Sequence, residues 1–291
     1  MGDQAELGAF LKSRRAALDP GDLGLPTGLN QRRVAGLRRE ELAQLAGISV
    51  DYYTRLEQGR ARNVSSAVLD ALSRALGLST DEDTYLRNLA TPRKRSAPAV
   101  KPQRVRPELA AMLDSLAVPA FVAGRCLDVL AWNRLCGALT FDFANLSPRE
   151  RNIPRLFFLT ELGRQTHPDF DAVTKEIVAN LRADAGRTPD DPQLAQLIGE
   201  LSMRSETFRK LWARHFVKEK AHGVKRMINP IVGELSLHYE TLRLPDDPTQ
   251  ALVIYTAPRG SESERALNLL ASWVAEHPAD APSRNSIAAE S

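Results

Sequence analysis

The stretch 47–60, GISVDYYTRLEQGR, holds the residues whose types and spacing best suggest chemistry. Arg55 carries a guanidinium that can pair bidentately with the O6/N7 edge of guanine, a contact worth roughly 1–3 kcal/mol of base discrimination. Asp51 stands four residues earlier, at the spacing of a helical ion pair worth a few tenths of a kcal/mol. It can accept from cytosine N4 or orient Arg55, and the second role is preferred because a free carboxylate is repelled by phosphate. Arg60 at the end of the stretch and Arg62 just past it are candidate phosphate anchors. Other chemistry finds little support. His167, His215, His222, His238 and His277 form no HExxH pattern, and Cys126 and Cys136 supply no CxxC pair, so neither zinc nor a disulfide framework is expected. No GxSxG elbow or Gly-rich phosphate loop occurs. The HxD triplet in THPDFD reads as a capping turn, and the carboxylates of PDDPQ and LPDDP sit beside prolines in loops. No enzyme activity is expected.

The elements around these residues are short helices. Leu7, Phe10, Leu11 and Leu18 give a helical stripe over 5–18. RREELAQLAG predicts a second helix with Leu42 and Leu45 inward and Gly47 in a left-handed cap. A third is expected over 50–58, followed by SSAVLDALSRALG and STDEDTYLRNLA, with Ser49, Ser65 and Thr80 as N-caps. Ala43, Gly47 and Ile48 meet the needs of a tight helix-turn-helix junction. Tyr53 and Leu56 then bury the third helix, which leaves Val50, Asp51, Tyr52 and Arg55 outward. The fold expected for 1–90 is an all-α five-helix helix-turn-helix domain.

Charge follows the same division. Net charge is only +3, yet residues 1–106 hold 18 basic and 12 acidic groups, against 21 and 24 in the remainder. The front is therefore the part suited to a polyanion. Residues 91–107, proline-rich and basic, read as a semi-extended linker. Residues 108–277 change character. PAFVAG and CLDVLAWN suggest two strands joined at Gly124–Arg125. Helical patterns fill 132–215, including SETFRKLWARHF, and strands return in VKRMIN, GELSLHYETLRL and QALVIYTA. SERALNLLASWVAE closes the domain as a helix. Strands, helices and strands again predict an α+β domain with an antiparallel sheet. The tail 278–291 is expected to be disordered. The chain shows no signal peptide or membrane-spanning run, and a cytoplasmic protein is the simplest reading.

GLRREELAQLAGISVDYYTRLEQGR resembles the phage-repressor/Cro (Xre) helix-turn-helix class. With VLDALSRALGL it resembles actinobacterial MmyB-like transcriptional regulators, and the likeness continues through VRPEL, LDVLAWN, PRERN, RLFFL, SETFRKLWARH and VGELSLHYETLRLP. The resemblance implies double-stranded DNA as partner. Val50, Asp51 and Arg55 would meet base edges, Tyr52 base or backbone, Arg38 and Arg39 phosphate or the outer bases, and Arg60 and Arg62 phosphate. The insertion 19–36 departs from the wider class, and its Arg32 and Arg33 could add backbone contacts. The resemblance also implies a PAS-like second domain with an apolar cavity for a fatty-acid-like ligand; on the motif evidence, no other cofactor and no metal is expected. Polar groups set in apolar wall mark such cavities; Trp132, Asn133, Arg155, Trp212, His215 and Tyr239 are the candidates, with Arg155 the favoured anchor for a carboxylate. WARHF could instead be a surface helix whose Arg214 and His215 face water. A homodimer on a near-palindromic operator is expected. The alternative is a DNA-binding regulator whose second domain serves only dimerisation or protein contact.

Overall fold

The structure, a computed structural model, describes residues 2–25, 36–61, 63–91, 102–188, 190–218 and 221–277. Arg62, Arg32 and Arg33, most of the expected linker (92–101) and the expected disordered tail 278–291 lie outside the described residues. The chain divides into two compact units. One contains Met1–Pro98 together with Arg182–Asp191 and Lys210–Glu219; the other contains Ala99–Leu181, Pro192–Arg209 and Lys220–Ser291.

The first unit is built on helices α1 (Gly2–Ala17), α2 (Arg39–Leu45), α3 (Val50–Glu57), α4 (Ser66–Ala75) and α5 (Thr80–Ala90). Leu7, Phe10 and Leu11 of α1 meet Tyr53 and Leu56 of α3 in one core, joined by Tyr85 of α5. Full burial of each such side chain is worth about 1.5–3 kcal/mol. Ser49 caps α3 by accepting from Tyr52 N at 3.2 Å, and Ser65 caps α4 by accepting from Val68 N at 3.4 Å, as expected. The cap of α5 is Ser79 rather than Thr80. Only Ser79 has a glutamate three residues on, and Ser79 N donates to Glu82 Oε2 at 2.9 Å to complete a capping box. Leu45, expected inside, is exposed; α2 buries Leu42, as expected, together with Ala43, and the residue that caps it, Ala46, is buried as well. Gly47 takes φ +64°, the left-handed geometry the turn requires.

The second unit carries a five-stranded antiparallel sheet of β1 (Ala120–Ala123), β2 (Val129–Trp132), β3 (His222–Asn229), β4 (Gly233–Arg243) and β5 (Ala251–Thr256), in the order β2-β1-β5-β4-β3. This is the PAS-like α+β domain implied by the resemblance. In β4, whose sequence alternates apolar Leu235, Leu237 and Tyr239 with polar Glu234, Ser236, His238 and Glu240, the first set is buried and the second exposed, the period of two of a strand with one covered face. Ala120 and Val122 pack against Leu109 and Leu113 of α6 (Pro107–Ser115), while Phe121 between them stacks on Tyr255 at 6.4 Å. The helices are α7 (Arg134–Leu139), α8 (Ile153–Phe158), α9 (Leu162–Thr166), α10 (Phe170–Arg187), α11 (Pro192–Arg204), α12 (Glu206–Trp212) and α13 (Glu262–Glu276).

Three local expectations change. The β1–β2 connection is not a two-residue turn at Gly124–Arg125 but a longer loop, with Cys126 at φ +59° and Leu127 at φ +60°. Asp128 sets its length: Asn152 Nδ2 and Gln193 Nε2 hold the carboxylate at 2.7 and 2.6 Å, and Asp128 O accepts from Gly124 N. The helix expected through WARHF stops at Trp212. There the carbonyls of Trp212, Arg214 and His215 accept from Arg182, Ser13 and Arg14, and His215 turns to φ +50°. Of the expected linker, the described part is anchored: Arg125 N donates to Gln103 Oε1 at 2.7 Å, and Arg106 pairs with Asp246 at 2.8 Å.

Candidate functional site

α3 follows the Gly47 turn with a divided surface. Tyr53 and Leu56 are buried, while Asp51 and Arg55 are exposed and Val50 is 40% exposed. The 3.6-residue period puts residues three apart on one side, so Tyr53 and Leu56 bury one face and leave the opposite one open. On the open face Arg55 Nε lies 3.4 Å from Asp51 Oδ2, and its guanidinium stands 5.7 Å over the Tyr52 ring. The three side chains brace one another. The arginine is held at the surface, and its energy in this pair is small because both partners are wet.

Glu57 ties the helices behind that face. Its carboxylate accepts from Arg15 of α1 at 2.6 Å, Arg39 of α2 at 2.7 Å and Tyr53 of α3 at 2.8 Å. Burial raises its pKa, but these donors outweigh burial and hold it below the ordinary carboxylate value. Burial beside this carboxylate pushes the Tyr53 phenol upward, so it stays a donor. Arg38 stands at the N-cap of α2, with its N–H on Glu41 Oε2 at 2.7 Å. Arg38, Arg55 and Arg60 are exposed cations around the α2–α3 pair.

The second unit holds an aromatic cluster. Trp132 lies 5.3 Å from Phe143, Phe141 lies 5.7 Å from Phe143 and 6.1 Å from Phe157, and Phe157 stacks on Phe170 at 6.0 Å. His167 is set among them, 4.9 Å from Phe157 and 6.3 Å from Phe141. Burial, with the charge of Lys225 added, pushes its pKa down to about 3, so the ring is neutral. Trp132 is 2% exposed, and its indole Nε1 has no hydrogen-bond partner among the described residues. An unpaired buried donor costs about 1–3 kcal/mol. The Arg151 guanidinium stands 5.0 Å over the Trp132 ring, with Nε donating to Phe143 O at 2.8 Å.

Sequence comparison places both parts of the chain in known families. Residues 105–270, more than half of the chain, match the model of the MmyB-like transcription regulator ligand binding domain, and residues 6–84 match a helix-turn-helix domain. The chain belongs to the MmyB-like transcription regulators. Comparison with curated proteins finds no match. This MmyB-like protein is accordingly a DNA-binding transcription regulator with a ligand-binding domain. Among the described residues, no helix is long and apolar enough to cross a membrane.

The ligand candidates named from the regulator's sequence are not brought into one group. Trp132 sits in the aromatic cluster, and Tyr239 is buried on β4 with Lys225 Nζ 4.9 Å over its ring. Asn133 is consumed by the fold. Its Oδ1 accepts from Cys136 N at 2.9 Å and Ala120 N at 3.1 Å, and its Nδ2 donates to Val118 O at 2.7 Å. Arg155, expected to face a head group, is committed elsewhere: Nη2 and Nε hold Glu200 at 2.9 and 3.1 Å, because the Asn152 cap places it one turn into α8 toward α11. Trp212 and His215 belong to the first unit, beside Arg182. Arg151 and His167 were not on that list. PRERN and THPDFD each offer a polar residue among many, and only packing sets these two against aromatic rings.

Proposed function

We propose that this regulator works as a homodimer in the cytoplasm, reads a near-palindromic operator with α3, and responds to a fatty-acid-like ligand held in the aromatic cluster of its second unit. Arg55 reads a base, with Asp51 orienting it and Tyr52 beside it. Val50 meets a base edge, Arg38, Arg39, Arg60 and Arg62 meet phosphate, and no catalysis is assigned. Two third helices of a dimer enter major grooves about one helical turn, roughly 34 Å, apart.

One observation carries the ligand reading. The Trp132 indole N–H is buried without a partner, beside the Arg151 guanidinium and against phenylalanine rings. A carboxylate accepting from Trp132 Nε1 and facing Arg151 would satisfy that donor with a charge-assisted bond. An alkyl chain would then lie along Phe141, Phe143 and Phe157, where each buried methylene is worth about 0.8 kcal/mol. Neutral His167 keeps the wall uncharged.

The test is mass spectrometry of an organic extract of the purified full chain, joined to selection of bound sequences from random DNA with and without added fatty acid. A co-purifying fatty acid that changes operator binding is the expected result. An extract without lipid, with DNA binding indifferent to added fatty acid, leaves the alternative in which the second domain serves dimerisation or protein contact.

A further inference from the structure

The helix-turn-helix unit is not completed by its own segment of the chain. Arg182 of α10 lies within the 105–270 match to the ligand-binding domain, yet its place is in the first unit. It is fully buried there. Burying a guanidinium is costly unless most of its donors are met; here both Nη groups are engaged, whereas Nε has no hydrogen-bond partner among the described residues. Arg182 Nη1 donates to the Glu6 carboxylate of α1 and lies 3.1 Å from His215 Nδ1; Nη2 donates to Trp212 O; and the guanidinium stacks 3.9 Å over the Trp212 ring. Glu6 also accepts from Tyr85 Oη of α5 at 3.0 Å. Its pKa is raised by burial but pulled down, on balance, to about 2 by His215, Arg182 and Tyr85.

The same helix α1 faces α3 with its other side. At about 100° per residue, Gly8 and Arg15 point about 180–200° away from Glu6, whereas Phe10 and Ser13 share its side. On the far side, a Cβ at Gly8 would fall 2.3 Å from the carbonyl oxygen of Glu57, so α1 and α3 touch backbone to backbone. Arg15 reinforces the contact through the Glu57 carboxylate at 2.6 Å. On the near side, Ser13 Oγ donates to Arg214 O at 3.0 Å, and Arg14 Nη2 donates to His215 O at 3.2 Å. One helix therefore lies between α3 and a set of contacts gathered around Arg182.

We propose that Arg182 is a positioning residue for DNA reading, a latch supplied by the ligand-binding part of the sequence that fixes α1 and, through Gly8 and Arg15, the seat of α3. The latch acts whatever ligand the second unit takes. α10 also bears Phe170 of the aromatic cluster, so a single helix carries both a cluster ring and the latch.

The test uses the full chain and an operator obtained by selection. Arg182→Met keeps length and an apolar contact for Trp212 but removes the donors. Its expected effects are about tenfold weaker operator binding, equivalent to about 1.4 kcal/mol, and faster amide exchange in α1 and α3 with α4 unchanged. Glu6→Gln, which alters the same latch from the α1 side, should show the same exchange pattern. The double variant should lose no more than Arg182→Met alone, because the two changes break one interaction. Arg182→Lys should restore part of the affinity. Unchanged affinity with faster exchange confined to 206–218 overturns the proposal. So does uniform loss of protection through the first unit, which marks a merely structural role. Where Arg182→Met does not fold, the α3 exchange of Glu6→Gln decides alone.

Discussion

Glu57, at the end of α3, takes a 2.7 Å hydrogen bond from Arg39 at the start of α2. The pair spans the helix-turn-helix from its first residue to its last, and Arg15 adds the third helix. Glu57→Gln leaves Arg15 buried beside a neutral partner, and loss of one member of a buried pair costs about 3–5 kcal/mol. Urea denaturation should show a loss of at least about 2 kcal/mol, after discount for the partly exposed Arg39. A loss under about 0.5 kcal/mol would contradict the role assigned to this carboxylate.

Base reading and phosphate contact separate by their signatures. Arg55→Ala should cost about 1–3 kcal/mol on the preferred site and relax the choice of one base pair. Arg60→Ala should weaken all sequences alike and lower the salt slope by about one. A binding panel of single-base variants at several salt concentrations measures both. Identical behaviour of the two variants across that panel rejects the division.

Trp132→Phe removes the buried indole N–H while keeping an aromatic ring. The unliganded protein should lose little stability, since an unpaired donor goes with it. Co-purified fatty acid should fall several-fold, as should the fatty-acid effect on operator binding. Equal lipid content in wild type and variant would show that this N–H holds no head group.

Acid should lower the protein's stability over two pH ranges. His167 is held near 3, far below its ordinary value of about 6.5, so the unfolded chain takes its proton first. Its contribution is complete above about pH 6.5 and declines as pH falls from there toward 3. Glu6, held at about 2 against an ordinary 4.5, contributes fully above about 4.5 and is lost as pH falls toward 2. His167→Phe should flatten the upper limb and Glu6→Gln the lower one in stability measured against pH. An unchanged upper limb in His167→Phe rules out the first assignment.

The division of α3 into buried Tyr53 and Leu56 and open Val50, Asp51 and Arg55 was legible from helical phase, because a short helix on a small core has one way to bury its large side chains. The alternation of β4 was legible for the same reason, with period two. Leu45 was not. A seven-residue helix offers too few turns to say which of Leu42, Leu45 and the following Ala46 lies at the edge of the buried stripe. The Ser79 cap was available in principle, since Glu82 stands three residues beyond it. Arg155 misled because a guanidinium near an apolar run looks the same whether it faces a ligand or Glu200 forty-five residues away.

By itself, the sequence determined what depends on neighbours along the chain: the helix-turn-helix, its caps, its outward cations, the alternating strand and the family. Each follows from backbone periodicity and local hydrogen bonding, which are written within a few residues. Tertiary structure alone decided the partners of buried polar groups. Arg182 meets Glu6 and Arg15 meets Glu57 across separations that no local pattern encodes. The physical reason is the cost of burying an unpaired charge or donor, which forces a partner from whichever segment packing brings near.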